Sequence, residues 1–157
     1  EPFRFIISLT AGLFTQVQFG VDEVTAGAGV CLGPLLRALA ERGLCTAAMA
    51  PLAWIPATLG GAVRTNAGAQ GAAIGQYVAE VCGVRTDGSA WRAAGGEVGW
   101  HYRHSDIPAE VTVTTVRLRC GSTSPAVAQE ALAARPRSTR SRVSRSRSGN
   151  SRAAAWA

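Results

Sequence analysis

Two stretches of this chain combine residue types that could do chemistry. In "VGWHYRHSD", Val98 to Asp106, a fixed cation, Arg103, stands between an aromatic hydroxyl, Tyr102, and a polar pair, His104 and Ser105. A guanidinium is a planar fork that matches a carboxylate or a developing enolate. The segment therefore suits a reaction that builds negative charge beside a carboxylate, although by itself it also reads as an exposed loop arginine. In "WIPATLGGAVRTNAGAQG", Trp54 to Gly71, four glycines and four alanines accompany a single charge, Arg64. Glycine lets backbone amides approach a ligand closely. Gly60, Gly61 and the run Asn66, Ala67, Gly68 predict a loop pressed against a large flat or phosphorylated ligand, and the competing reading is a Gly/Ala packing turn. His101 and His104 have H-x-x-H spacing, but they are the only histidines and no carboxylate or cysteine spacing completes a site, so no metal is expected.

Composition narrows the field of functions. The formal charge of +6 is not spread along the chain: residues 1–134 carry nine arginines against ten acids, and residues 135–157 carry seven arginines and no acid. There is no lysine, a bias expected of a GC-rich source. Cys31, Cys45, Cys82 and Cys120 are widely spaced with no C-x-x-C pair, which predicts buried free thiols in a reducing cytoplasm. Residues 43–63 are uncharged and about long enough to cross a bilayer, but Pro51, Pro56, Gly60 and Gly61 interrupt them and Ala and Thr fill them, so no membrane span is expected.

The elements that must position these residues follow from periodicity and turn chemistry. Phe3 to Leu9 reads as a strand, Phe14 to Gly20 alternates like a half-buried strand, and Asp22 to Val30 gives a second strand ending in glycines, together a small antiparallel unit. Leu35, Leu36 and Leu39 recur at helical spacing, with Pro34 in the first turn and Gly43 at the end, which predicts a helix over Leu32 to Arg42. "YVAEVCGVRTDGSAWRA" predicts a hairpin turning at Asp87-Gly88. Glu110 to Arg119 alternates Val and Thr as a strand, and Ser124 as N-cap with Pro125 behind it opens a short helix. The expected architecture is one folded unit over 1–134, followed by an Arg/Ser-rich tail over 135–157 with almost nothing to bury, expected to be disordered and possibly frame-shifted.

Taken in order, "VTAGAGV", "IPATLGGAVRTNAGAQG", "VGWHYRHSDIP" and the closing Val/Thr strand resemble successive landmarks of bacterial UDP-N-acetylenolpyruvoylglucosamine reductase, also called UDP-N-acetylmuramate dehydrogenase, over most of Phe3 to Arg135. The resemblance implies an α+β FAD-binding domain of the vanillyl-alcohol-oxidase (PCMH) type, incomplete here. It implies FAD as cofactor and NADPH as hydride donor, with reduction of a UDP-sugar enolpyruvyl group to UDP-N-acetylmuramate for peptidoglycan in the cytoplasm. By the same resemblance Ile55, Pro56, Thr58, Gly60, Gly61, Asn66, Ala67 and Gly68 line the FAD, with Ala26 to Gly29 beside it. Arg103 is the catalytic cation and Tyr102 orients it or the substrate. Trp54 and Ala57 stand where the family usually has glycine, and Trp54 would obstruct close backbone approach.

The family's upstream phosphate loop would precede Glu1. Its serine proton donor and late glutamate have no matching position, so little turnover is expected of this chain. Two rival readings are a small nucleic-acid-binding protein acting through the arginine-rich tail, with salt-sensitive affinity, and a decayed reading frame without function.

Overall fold

The computed structural model describes residue 9 and residues 11–134; the expected Phe3 strand, apart from Leu9, and the Arg/Ser tail lie outside the described residues. The first elements match the alternation in the sequence but are shorter than it suggests. Gly12–Thr15 forms a 3₁₀ turn, β1 runs over Val17–Phe19 and β2 over Glu23–Gly27, and the two strands pair antiparallel.

Helix α1, Leu32–Glu41, follows at once. Leu32, Leu35, Leu36, Leu39 and Ala40 recur at helical spacing and are all buried. Arg42 caps the helix, and Gly43 beyond it takes a left-handed φ of 70° where the chain turns back. A 3₁₀ turn, Ala50–Trp54, packs against α1.

The Gly/Ala stretch departs from the expected loop. Leu59–Arg64 is a short helix, α2, capped by Thr58, whose Oγ1 accepts the Gly61 amide at 3.3 Å. Leu59, Ala62 and Val63 on it are fully buried, so half of the stretch fills core after all. The rest forms a tiny hairpin, β3 (Gly68–Ala69) with β4 (Ala72–Ala73), and a 3₁₀ turn at Ile74–Gln76.

Strands β5 (Val78–Arg85) and β6 (Ala90–Ala94) form the expected hairpin, with Gly88 at φ 84° in its turn. Next come a two-residue ladder, β7 (Trp100–His101) against β8 (His104–Ser105), the long strand β9 (Val111–Arg119) and helix α3 (Pro125–Ala133). Ser124 caps α3 as expected, its Oγ accepting the Val127 amide at 3.3 Å.

The main sheet is five-stranded and antiparallel, in the order β1-β2-β9-β5-β6. Its centre, β9, carries a bulge. Cys82 pairs with Thr115 and Gly83 with Val113, so Thr114 is the extra residue. The bulge moves the buried side of the strand from Val111 and Val113 to Val116 and Leu118, which strict alternation would have placed on opposite faces. Helix α2 packs on β9 and β2, while α1 and α3 pack on each other and on the Ala50–Trp54 turn.

Among the described residues no helix is long and apolar enough to cross a membrane. All four cysteines are free, but only Cys45 is fully buried. Cys31 is exposed, contrary to the expectation for all four, because it sits at the non-helical N-cap of α1 instead of on its buried face. Burial pushes the Cys45 and Cys120 thiols up to about 11.

Candidate functional site

The small residues of β3 and β4 and the aromatic and basic residues of β7 form opposite walls of a cleft of about 560 Å³. One wall offers Gly68, Ala69, Ala72, Ala73 and Gly75; the other offers Trp100, His101, Tyr102 and Arg103. The walls touch at the base, where any Cβ on Gly75 would collide with the Trp100 ring. Trp100 is fixed there by its indole N–H, which donates to Gly95 O at 2.8 Å.

Tyr102 and Arg103 are the two turn residues between His101 and His104. Arg103 has φ 56°, in the left-handed region that glycine and asparagine favour, so an arginine there holds about 1–2 kcal/mol of backbone strain. Its guanidinium carbon lies 5.8 Å from the centre of the Tyr102 ring, itself 91% exposed. The two residues assigned to chemistry therefore stand together at the cleft edge.

Polar side chains hold this turn from below. Arg64, at the end of α2, donates to Ile107 O at 2.7 Å and Pro108 O at 2.9 Å and also to Val111 O. The Arg64 carbonyl accepts the buried Ser105 hydroxyl at 2.9 Å. Asn66, also buried and left-handed at φ 43°, donates from Nδ2 to His101 O at 2.8 Å and accepts the Gly75 amide on Oδ1 at 3.1 Å.

The histidine pair is not without a carboxylate, as its spacing suggested. Asp106 accepts from His101 Nε2 at 3.0 Å, and its other oxygen lies 3.4 Å from His104 Nε2. The hydrogen bond with His101 is the main reason the Asp106 carboxyl is held below the usual carboxylate range. Each imidazole meets a different carboxylate oxygen and the ring centres are 6.0 Å apart; no metal-holding group of three or more such side chains forms among the described residues.

The residues assigned to FAD line more than one concavity. Asn66 and Gly68 border the 560 Å³ cleft, whereas Ile55, Pro56 and Thr58 line a second concavity of about 500 Å³ with Cys31, Arg37 and Trp54. Trp54 stands at that second site, 44% exposed. Ala67 is half-buried, and its carbonyl accepts the Ile74 amide at 2.9 Å. "AGAG" does sit beside the glycine stretch, with Ala28 O accepting the Gly60 amide at 2.9 Å.

The glycines separate by cause. A Cβ on Gly60 would lie 2.7 Å from the Ala28 Cβ, and one on Gly68 would lie 2.6 Å from Ala72 O, so the fold itself excludes side chains there. Gly61 is exposed, and a Cβ on it would meet only Thr58 Oγ1, at 3.3 Å. At that position only the capping hydroxyl of Thr58 would have to give slightly, so packing constrains glycine there far less than at Gly60 or Gly68.

Arg64 and Asp106 carried no assignment from sequence. The one signal for Arg64 was its being the only charge in an otherwise uncharged stretch, and Asp106 had only its spacing of two from His104.

The antiparallel sheet flanked by helices, with a cleft of small residues facing aromatic and basic ones, is an α+β fold, and comparison with known proteins gives its class as an FAD-binding domain. Residues 4–94 match the sequence model of the family described as FAD binding domain, and the chain belongs to that family. It is similar to the UDP-N-acetylenolpyruvoylglucosamine reductase of Paracoccus denitrificans, with 36% identity over 121 residues covering 77% of this chain and 38% of that protein. The reductase of Myxococcus xanthus is 35% identical over 71% of this chain and 36% of its own length. In three dimensions the chain is similar to the crystal structure of UDP-N-acetylenolpyruvylglucosamine reductase from Thermus caldophilus, with a TM-score of 0.64 and 31% identity over 69% of this chain and 40% of that one. The chain thus spans less than two fifths of the length of these curated relatives.

Proposed function

We propose that this chain supplies the FAD-holding part and the catalytic arginine of an NADPH-using reductase. The reaction converts UDP-N-acetylglucosamine enolpyruvate to UDP-N-acetylmuramate, for peptidoglycan synthesis in the cytoplasm. The observation that carries the reading is Arg103, held in a left-handed turn at the edge of a cleft whose far wall is glycine and alanine.

The residues present fit the cofactor at Gly61, an exposed backbone position where a side chain would press only on the Thr58 hydroxyl, and along the small-residue wall. Ile55, Pro56, Thr58, Gly60, Gly61, Asn66, Ala67 and Gly68 are the residues of this chain that would hold it. When bound, FAD supplies the hydride-transfer chemistry.

Arg103 acts on the substrate. Hydride addition to the enolpyruvyl double bond leaves negative charge on the adjoining carbon and its carboxylate. A guanidinium fixed beside them stabilises that charge more than it stabilises the ground state. Tyr102, at the same edge, offers a hydroxyl to the substrate or to Arg103. Ser105, one residue beyond His104, does not supply the proton that completes the reduction, because its hydroxyl is buried and donates to Arg64 O.

The test is an absorbance spectrum of the purified chain after FAD is added and free FAD removed. A retained flavin band that is lost in Gly61→Trp, with the melting temperature unchanged, supports the reading. A colourless wild-type chain overturns it.

A further inference from the structure

We propose that Asn66 is a positioning residue for Arg103, the side chain whose hydrogen bonds tie the two cleft walls to each other; this rests on reading Arg103 as the cation that meets the substrate. Its amide bridges the walls. Nδ2 donates to His101 O, at the entry to the Tyr102-Arg103 turn, and Oδ1 accepts from the Gly75 amide of the opposite wall.

Three requirements meet at this position. The backbone is left-handed, which asparagine tolerates better than most residues. The side chain must donate and accept at once, which an ionised aspartate cannot do and leucine cannot attempt. It must also do so while buried, where an amide lacking a partner carries its full desolvation cost. With one donor and the oxygen of the amide engaged by backbone, Asn66 contributes to the site through the distance it fixes between His101 O and the Gly75 amide.

Arg64 and Ser105 do a different job. They tie the turn to α2 and to the start of β9 and make none of their hydrogen bonds to the glycine wall. Removing them loosens the turn as a unit, whereas removing Asn66 frees one wall from the other. The bulk of Trp100 against Gly75 keeps the walls from collapsing, and the Asn66 bridge keeps them from parting.

The experiment compares wild type with Asn66→Asp in the full chain, by amide hydrogen exchange without ligand and by binding of UDP-N-acetylglucosamine enolpyruvate to the FAD-loaded chain. An ionised carboxylate still accepts from the Gly75 amide but cannot donate to His101 O. The expected exchange pattern is therefore lopsided, with Gly75 still protected and the Asp106 amide, which donates to Gly99 O across the base of the turn, exchanging about tenfold faster. Equal loss at both places, or none, overturns the proposal.

Substrate affinity should fall about tenfold in Asn66→Asp with FAD retention unchanged, and Arg103→Met added to it should cost less than it does in wild type, as expected if Asn66 acts through Arg103. Full additivity overturns the proposal. If Arg103→Met alone has no effect, the catalytic reading of Arg103 has failed, and the exchange pattern still decides whether Asn66 sets the turn. Should Asn66→Asp not fold, Asn66→Gly keeps the left-handed backbone and removes both hydrogen bonds; the Asp106 and Gly75 amides should then loosen together while β9 stays protected, and unchanged Asp106 exchange overturns the proposal.

Discussion

The central sheet and the cleft walls are built on opposite principles. In the sheet, β5 and β9 pair along most of their length and Val78, Val81, Val116 and Leu118 are fully buried between strands and helices. In the cleft, β3 against β4 and β7 against β8 are ladders of two residues each, too short to persist alone. They are held instead by Arg64, Asn66 and Ser105 reaching backbone groups of segments distant in sequence. Apolar burial is non-directional and tolerates small shifts, whereas a buried hydrogen bond is met or missed within a few tenths of an ångström. The difference teaches that the sheet supplies stability and the polar anchors supply the placement of Arg103.

That contrast can be broken at its strong end first. Leu36, fully buried on α1, touches none of the cleft. Leu36→Ala should lower stability by about 3 kcal/mol through lost transfer energy and a cavity, measured by chemical denaturation. Arg64→Met should cost less, about 2 kcal/mol, because it leaves three carbonyls short of a charged donor. It should also speed hydrogen exchange at the Asp106 amide, bonded to Gly99 O at the base of the Tyr102-Arg103 turn, which Leu36→Ala should not do selectively. If both variants loosen the turn alike, the division between the two regions is wrong.

The smallest expected effect is acid sensitivity. Asp106 is held below its ordinary value mainly by His101, so its contribution is present above the unfolded carboxylate range and fades as pH falls through the lower folded value. Glu80, lowered chiefly by its hydrogen bond with Arg92 on the sheet, behaves in the same direction. Below about pH 4 both regions should therefore weaken. Melting curves against pH should lose the cleft's share of that acid limb in Asp106→Asn and the sheet's share in Glu80→Gln; identical profiles would show that neither carboxylate pair matters.

Much of the fold was legible in the residues because the signals are local. The leucine spacing of α1, the Asp87-Gly88 turn and the Ser124 cap each depend on neighbours within a few positions. The bulge at Thr114 was not, since Val and Thr alternate through it and only the pairing with β5 shows which residue is extra. In the Gly/Ala stretch low bulk was mistaken for loop, although Leu59 and Val63 lie four residues apart, on one face of a single helical turn.

The candidate site divides the same way. The residue types of "YRHSD" and the glycine run marked where chemistry could lie, and the order of landmarks gave the family, because composition and spacing are properties of the chain itself. The sequence by itself thus determined the principal local elements, carried the resemblance to the family and singled out Arg103 as the cation proposed to meet the substrate. Only the tertiary structure decided which glycines are needed for packing and which is open, that Asp106 completes the histidine pair, and that Arg64 and Asn66 hold Arg103 in place. Those hydrogen bonds join residues 35 to 47 positions apart, and contacts at that separation exist only once the sheet has closed and brought the two walls together.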